Sequence, residues 1–160
     1  TGHFVFSTLH TNDAPGAITR MLDLGIEPYL VASSVAGILA QRLVRRLCPK
    51  CTEKVESNSS IRAELGVQMS GFETVYHGRG CDHCFNTGYR GRTGIYELMV
   101  MDDNIRQCVC RQDSVGAIKK AALASDFTTL RMDGLRKVEI GETSLDELLR
   151  VVHSDEVDVN

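Results

Sequence analysis

Cys48-Pro49-Lys50-Cys51 and Cys81-Asp82-His83-Cys84 are the stretches from which the rest of this chain is read. Two residues between cysteines let both sulfurs of a pair turn toward one point. Two such pairs supply the four soft ligands that a tetrahedral Zn2+ prefers. Pro49 stiffens the first turn by fixing φ, and Gly88 and Gly91 keep the chain tight after the second. The alternatives are two disulfides or four unrelated buried thiols. No stretch reads as a secretory segment, so the oxidising compartment that disulfides need has no support. Four thiolates from Cys48, Cys51, Cys81 and Cys84 would close the coordination sphere and leave no position for a catalytic water. The expected site is therefore structural zinc.

At 160 residues and 42% hydrophobic, the chain can bury one core with a satellite. A net charge of −3, 6% aromatic residues and no Trp argue against a whole-molecule grip on nucleic acid, and no nucleic-acid partner is expected. A zinc-ribbon module binding nucleic acid through Arg42, Arg45, Arg46, Lys50 and Lys54 is the rival reading from another class. A Cys-x-x-Cys redox protein is a further one. No apolar run approaches the ~20 residues a membrane helix needs. The opening Thr1-Gly2-His3-Phe4-Val5-Phe6 reads as the middle of a longer protein.

Outward from the cysteines, Phe4 to Leu9 is an apolar, β-branched run that predicts a buried strand. Asn12 or Asp13 caps the next helix, with Pro15 in its first turn, Ile18, Met21 and Leu22 as its stripe and Gly25 as its stop. Pro28 begins a helix expected to run to about Leu47, with the basic residues from Arg42 complementing its C-terminal dipole or forming an anion-facing edge. Residues 56–60 read as loop, 61–65 as a short helix ended by Gly66, and Phe72 to Tyr76 and Thr93 to Val100 as strands. The remainder reads as helices capped at Asp102 or Asp103, Ser114, Thr128 or Thr129, and by a Ser144–Glu147 capping box. The acidic tail from Ser154 is expected to fray.

His10 is the most suggestive single residue. It leaves a predicted strand among Thr8, Thr11, Asn12 and Asp13, and ligands gather at the carboxyl ends of strands in open α/β sheets. Its ring can donate to a phosphate oxygen or orient a water; a structural role in a loop is the alternative. His3 reads as structural, and His77, His83 and His153 carry no pattern. Cys108 and Cys110 read as packing residues of a helix. There is no G-x-x-x-x-G-K-[ST], G-x-S-x-G or H-E-x-x-H. Read from its residues, the chain is a zinc-stapled α/β domain with a polar strand edge and no complete catalytic apparatus.

Thr1-Gly2-His3-Phe4-Val5-Phe6-Ser7-Thr8-Leu9-His10-Thr11-Asn12-Asp13-Ala14 resembles the histidine box of the secretion ATPase superfamily, which serves type II secretion and type IV pilus assembly. Gln41 to Cys51, Gly80 to Cys84 with Thr87 to Leu98, and Leu130 to Val151 resemble its tetracysteine motif and C-terminal segment. The resemblance implies the C-terminal half of a RecA-like P-loop NTPase domain, mostly helical, with a tetracysteine zinc subdomain. Residues 1–47 would be core, 48–100 the zinc subdomain and return strand, 101–153 a helical segment and 154–160 a tail. It further implies a cytoplasmic homo-hexamer on an inner-membrane platform, using ATP and Mg2+. His10 would sit near the γ-phosphate, with Thr8, Thr11, Asn12 and Arg42 toward the nucleotide. The phosphate loop is absent here, so this chain alone is expected to be inactive. The tetracysteine motif points to the secretion and pilus-extension branches. Met21 to Pro28 and the Cys-Pro-Lys-Cys wording lean toward type II secretion.

Overall fold

The computed structural model describes residues 2–56 and 74–152. They form a mixed α/β chain: α1 (Ala14–Asp23), α2 (Pro28–Ser34), β1 (Gly37–Leu47), β2 (Thr52–Glu56), β3 (Thr74–Gly78), β4 (Tyr89–Val100), α3 (Asp103–Cys110), α4 (Val115–Leu123), α5 (Leu130–Glu139) and α6 (Leu145–Val152). β1 pairs with β4. β2 pairs antiparallel with β3, Thr52 opposite Gly78 and Glu56 opposite Thr74. Among the described residues no helix is long and apolar enough to cross a membrane.

The chain divides into two compact units, Thr1–Ala40 with Glu97–Thr128, and Gln41–Tyr96 with Thr129–Ser154. The segments expected from the sequence are contiguous, 1–47, 48–100 and 101–153; the compact units are not. The predicted helix over 61–65 and the tail from 154 lie outside the described residues.

In the first unit, α1 opens as the sequence predicts. The Asp13 carboxylate accepts from the Gly16 N–H at 2.8 Å, Pro15 sits in the first turn, and Gly25 follows the end at a left-handed φ of 84°. Asp102 caps α3 by accepting from Ile105 N–H, and Ser114 caps α4 by accepting from Ala117 N–H. The apolar stripes of these helices close over Ile18, Val31, Met99, Ile105, Val109 and Ile118, all essentially without exposure. Cys108 belongs to this core, whereas Cys110 is exposed.

Two expectations fail here, for one reason. The helix predicted from Pro28 to about Leu47 stops at Ser34, and Val35 turns extended with ψ 123°. From Gly37 the chain is strand, with Ile38, Ala40, Arg42 and Val44 alternating inward and Leu39, Gln41 and Leu43 outward. The apolar content fits either period, and the hydrogen-bonding partner β4 decides it. The basic residues from Arg42 therefore sit on a strand and beyond it, and complement no helix dipole. Conversely, Phe4 to Leu9 forms no strand, and Phe4, Val5 and Phe6 are 73%, 78% and 89% exposed. Among the described residues no strand pairs with this run, and a strand without a ladder partner has nothing to satisfy its backbone.

In the second unit, Thr74 to Tyr76 of the strand predicted at Phe72 to Tyr76 fall in β3, and its first two residues, like the loop expected over 57–60, lie outside the described residues. Glu56 ends β2 rather than opening a loop, because β3 supplies its partner. Thr129 caps α5 by accepting from Met132 N–H, and Gly134 lets Leu148 of α6 approach the α5 backbone. Ser144 Oγ accepts from Glu147 N–H at 3.2 Å, but the expected capping box is only half made. The Glu147 side chain, fully buried, instead accepts from Arg45 N, Nε and Nη2 at 3.0, 2.9 and 2.7 Å. It also accepts from Arg150 Nε and Nη2 at 3.0 and 2.7 Å. Two guanidinium groups together with the Arg45 amide satisfy the carboxylate, and the charge-assisted bonds among them favour this over the Ser144 amide. The Arg45 guanidinium lies 4.1 Å from the Tyr89 ring centroid, and the Tyr89 hydroxyl bonds Ser144 Oγ at 2.6 Å. This network holds β1 against α6.

Candidate metal centre and histidine-bearing loop

The two cysteine pairs form two backbone knuckles in the second unit. In the first, Cys51 N–H and Thr52 N–H both donate to Cys48 O, at 3.2 and 3.0 Å. In the second, Cys84 N–H and Asn86 N–H donate to Cys81 O at 3.1 and 2.9 Å, and the turn is completed by Phe85 and Asn86 in left-handed conformation. The knuckles are joined by Cys48 N–H to Gly88 O at 2.9 Å and Arg79 N–H to Cys51 O at 3.0 Å. Gly78 and Gly88 lie back to back, so that a Cβ on either would fall on the other's carbonyl. Gly88 also takes φ 77°, which only glycine adopts cheaply.

This scaffold converges the four sulfurs. Cys48 and Cys81 Sγ are 3.9 Å apart, Cys51 and Cys84 3.8 Å, and Cys81 and Cys84 3.8 Å; all four lie within 4.8 Å of one another. Metal–sulfur bonds of ~2.3 Å in a tetrahedron place sulfurs about 3.8 Å apart, so the donor set fits one soft metal ion. No pair is at the ~2.05 Å of a disulfide, and all six cysteines are free. Among the described residues no histidine joins the cluster.

The donors are electrostatically unequal. Burial pushes the Cys84 thiol up, but the Cys81 and Gly88 amides, each 3.3 Å from its sulfur, and the neighbouring thiols outweigh this and bring it to about 6. Burial pushes Cys51 up to about 12, against the Gly80 amide, which lowers it. Amide donors aimed at a ligand sulfur are the outer shell that stabilises a metal-bound thiolate.

The first unit carries the histidine-bearing loop. Thr8, His10 and Asn12 are exposed; Thr11 is half-buried, and its hydroxyl donates to Asp13 O at 3.2 Å. These four share one segment running into α1. Arg42, the fifth predicted nucleotide-side residue, lies half-buried on β1 in the second unit. The sequence reading missed Glu97, a carboxylate buried to 4% exposure that accepts from the Ala14 N–H at 2.6 Å. Its signal was present in the register, since Glu97 falls in phase with the inward-facing Ile95 and Met99 of β4.

The chain belongs to the Type II/IV secretion system protein family, whose model matches residues 1–150. It is 49% identical over 97% of its length to Type II secretion system protein E of Pseudomonas aeruginosa, covering 31% of that protein. It is 46% identical over 94% of its length to Type II secretion system ATPase E of Vibrio cholerae, covering 30% of it. Type IV pilus assembly ATPase TfpB of Acinetobacter baylyi is 46% identical over 95% of the chain, which covers 26% of that protein. The chain thus spans about a third of the length of the curated relatives it matches.

Proposed function

We propose that this chain is the C-terminal half of the RecA-like ATPase domain of a type II secretion motor. The observation that carries the proposal is identity to secretion-system proteins along nearly the whole chain, beside this chain's own convergence of four sulfurs. The intact motor would be a cytoplasmic hexamer on an inner-membrane platform. The exposed Phe4-Val5-Phe6 run supports the reading, because an apolar segment without a ladder is suited to join strands supplied by the rest of the protein.

His10, exposed on the segment before α1, would donate a ring N–H toward a γ-phosphate oxygen or hold the attacking water. Thr8, Thr11 and Asn12 would offer hydroxyl and amide groups from the same segment; Arg42, in the second unit, would by the family resemblance offer a guanidinium toward the nucleotide. Bound Mg2+ would supply charge neutralisation. The protein's own part in phosphoryl transfer is chiefly positioning and electrostatic stabilisation. Cys48, Cys51, Cys81 and Cys84 would hold zinc, a closed four-thiolate site whose role is structural. Apparent binding energies of about 10–16 kcal/mol for such sites are ample to hold a subdomain whose knuckles contain few apolar side chains.

The test is ATP turnover by the full-length protein with Mg2+. Replacing His10→Ala should lower kcat about 100-fold while nucleotide affinity is kept; unchanged turnover would remove His10 from the chemistry. The isolated chain, without a G-x-x-x-x-G-K-[ST] loop, should not hydrolyse ATP. A pilus-assembly motor is the second reading, favoured by the comparable identity to TfpB. Disrupting the gene and scoring secretion against piliation separates the two.

A further inference from the structure

The first turn of α1 has an uncommon arrangement of acceptors. Ala14, Pro15 and Gly16 lead the helix, and Pro15 has no N–H to donate. Gly16 N–H is accepted by Asp13 from within the turn. Ala14 N–H is accepted by Glu97, 83 residues away, at 2.6 Å in a buried setting. Glu97 comes from β4, where its neighbours on the same face, Ile95 and Met99, are packed apolar residues. A carboxylate in such a row carries a desolvation cost that a leucine would not. It also lies at the positive end of a helix, where an anion is favoured.

The same turn is the anchor of the histidine-bearing loop. Between His10 and Ala14 there are only Thr11, Asn12 and Asp13, and the Thr11 hydroxyl is already tied to Asp13 O. On the other side of His10, Phe4 to Leu9 has no strand partner among the described residues. On its C-terminal side the segment bearing His10 is anchored through the Ala14 amide.

We propose that Glu97 is a positioning residue for His10: by fixing the Ala14 N–H it sets where the loop ends and hence where the imidazole is presented. This rests on the reading of His10 as the residue facing the γ-phosphate. Small misplacement of a catalytic group can cost about 100-fold in rate without affecting ground-state binding. The role needs an acceptor oxygen at the right reach from β4. Glu97→Gln keeps an oxygen at that distance without the charge, whereas Glu97→Asp keeps the charge but is one methylene short.

The experiment uses the full-length protein, with ATP and Mg2+ as probe. The wild type and both variants are compared in kcat, KM, melting temperature and hydrogen exchange at the Ala14 amide. The expected pattern is kcat within about twofold of wild type for Gln and about tenfold or more lower for Asp, with KM and melting temperature nearly unchanged in both. Exchange at Ala14 should quicken only in Asp. Wild-type turnover in the Asp variant, or a loss in Gln as deep as in Asp, would overturn the positioning role while leaving the ATPase reading intact. A fall in kcat matched by a fall in melting temperature would reduce Glu97 to a structural residue. Absence of hydrolysis by the wild type would overturn both.

Discussion

Replacing Glu147 by Gln should destabilise the chain by about 3 kcal/mol at neutral pH, and the loss should vanish in acid. Burial by itself pushes the Glu147 carboxyl up. The bonds from Arg150, then those from the Arg45 side chain and backbone, outweigh it and lower it from the ordinary 4.5 to about 2. At ~1.4 kcal/mol per tenfold, that interval corresponds to about 3 kcal/mol of preference for the ionised form in the fold. The side chains of Arg45 and Arg150 are 45% and 61% exposed, so neither cation is stranded when its partner is neutral. The cost therefore resides in the lost carboxylate bonds, at the lower end of what breaking a buried ion pair usually costs. The carboxyl is lowered in the fold, so its contribution is complete above about pH 4.5 and is lost as pH falls toward 2. Urea unfolding of wild type and Glu147→Gln, followed by circular dichroism near pH 6 and again near pH 3, measures the gap between them. Elemental analysis of both proteins at each pH, with unfolding compared only at equal metal content and where both transitions are cooperative, makes the difference report the carboxyl. A gap below about 1 kcal/mol near pH 6, or one that does not narrow near pH 3, would refute the reasoning.

Two further outcomes are expected. Protein purified without chelator should contain one zinc per chain by elemental analysis, and Cys81→Ser should lose it together with cooperative unfolding of the second unit; metal-free wild-type protein would contradict the four-sulfur site. Gly134→Ala places a methyl on Leu148 where α5 meets α6, and should cost about 1–3 kcal/mol by thermal or urea unfolding, whereas an unchanged melting temperature would show that Leu148 can move aside.

What was legible in the sequence has a common character: it is local. The Cys-x-x-Cys spacing brings two sulfurs together through one turn, and the caps at Asp13, Asp102, Ser114 and Thr129 act within three residues of themselves. The caps and the helices they open stand where the residues placed them, and the two spacings converge on one four-sulfur cluster. Family membership, too, was readable from motifs in order, as the match over residues 1–150 shows.

What only tertiary structure decided depends on partners distant in sequence. Gly37–Leu47 has the apolar content of a helix and becomes a strand because β4 supplies its ladder; Phe4 to Leu9 has the composition of a strand and is none, for want of one. Glu147 sits where a capping box predicts, yet its carboxylate turns to Arg45, 102 residues away. Glu97 reads as one acid among apolar neighbours until the fold brings the Ala14 amide to it. A helix closes its backbone hydrogen bonds within four residues, so its sequence suffices. A strand and a buried charge must find their complement elsewhere in the chain, and only the folded backbone shows which complement they meet.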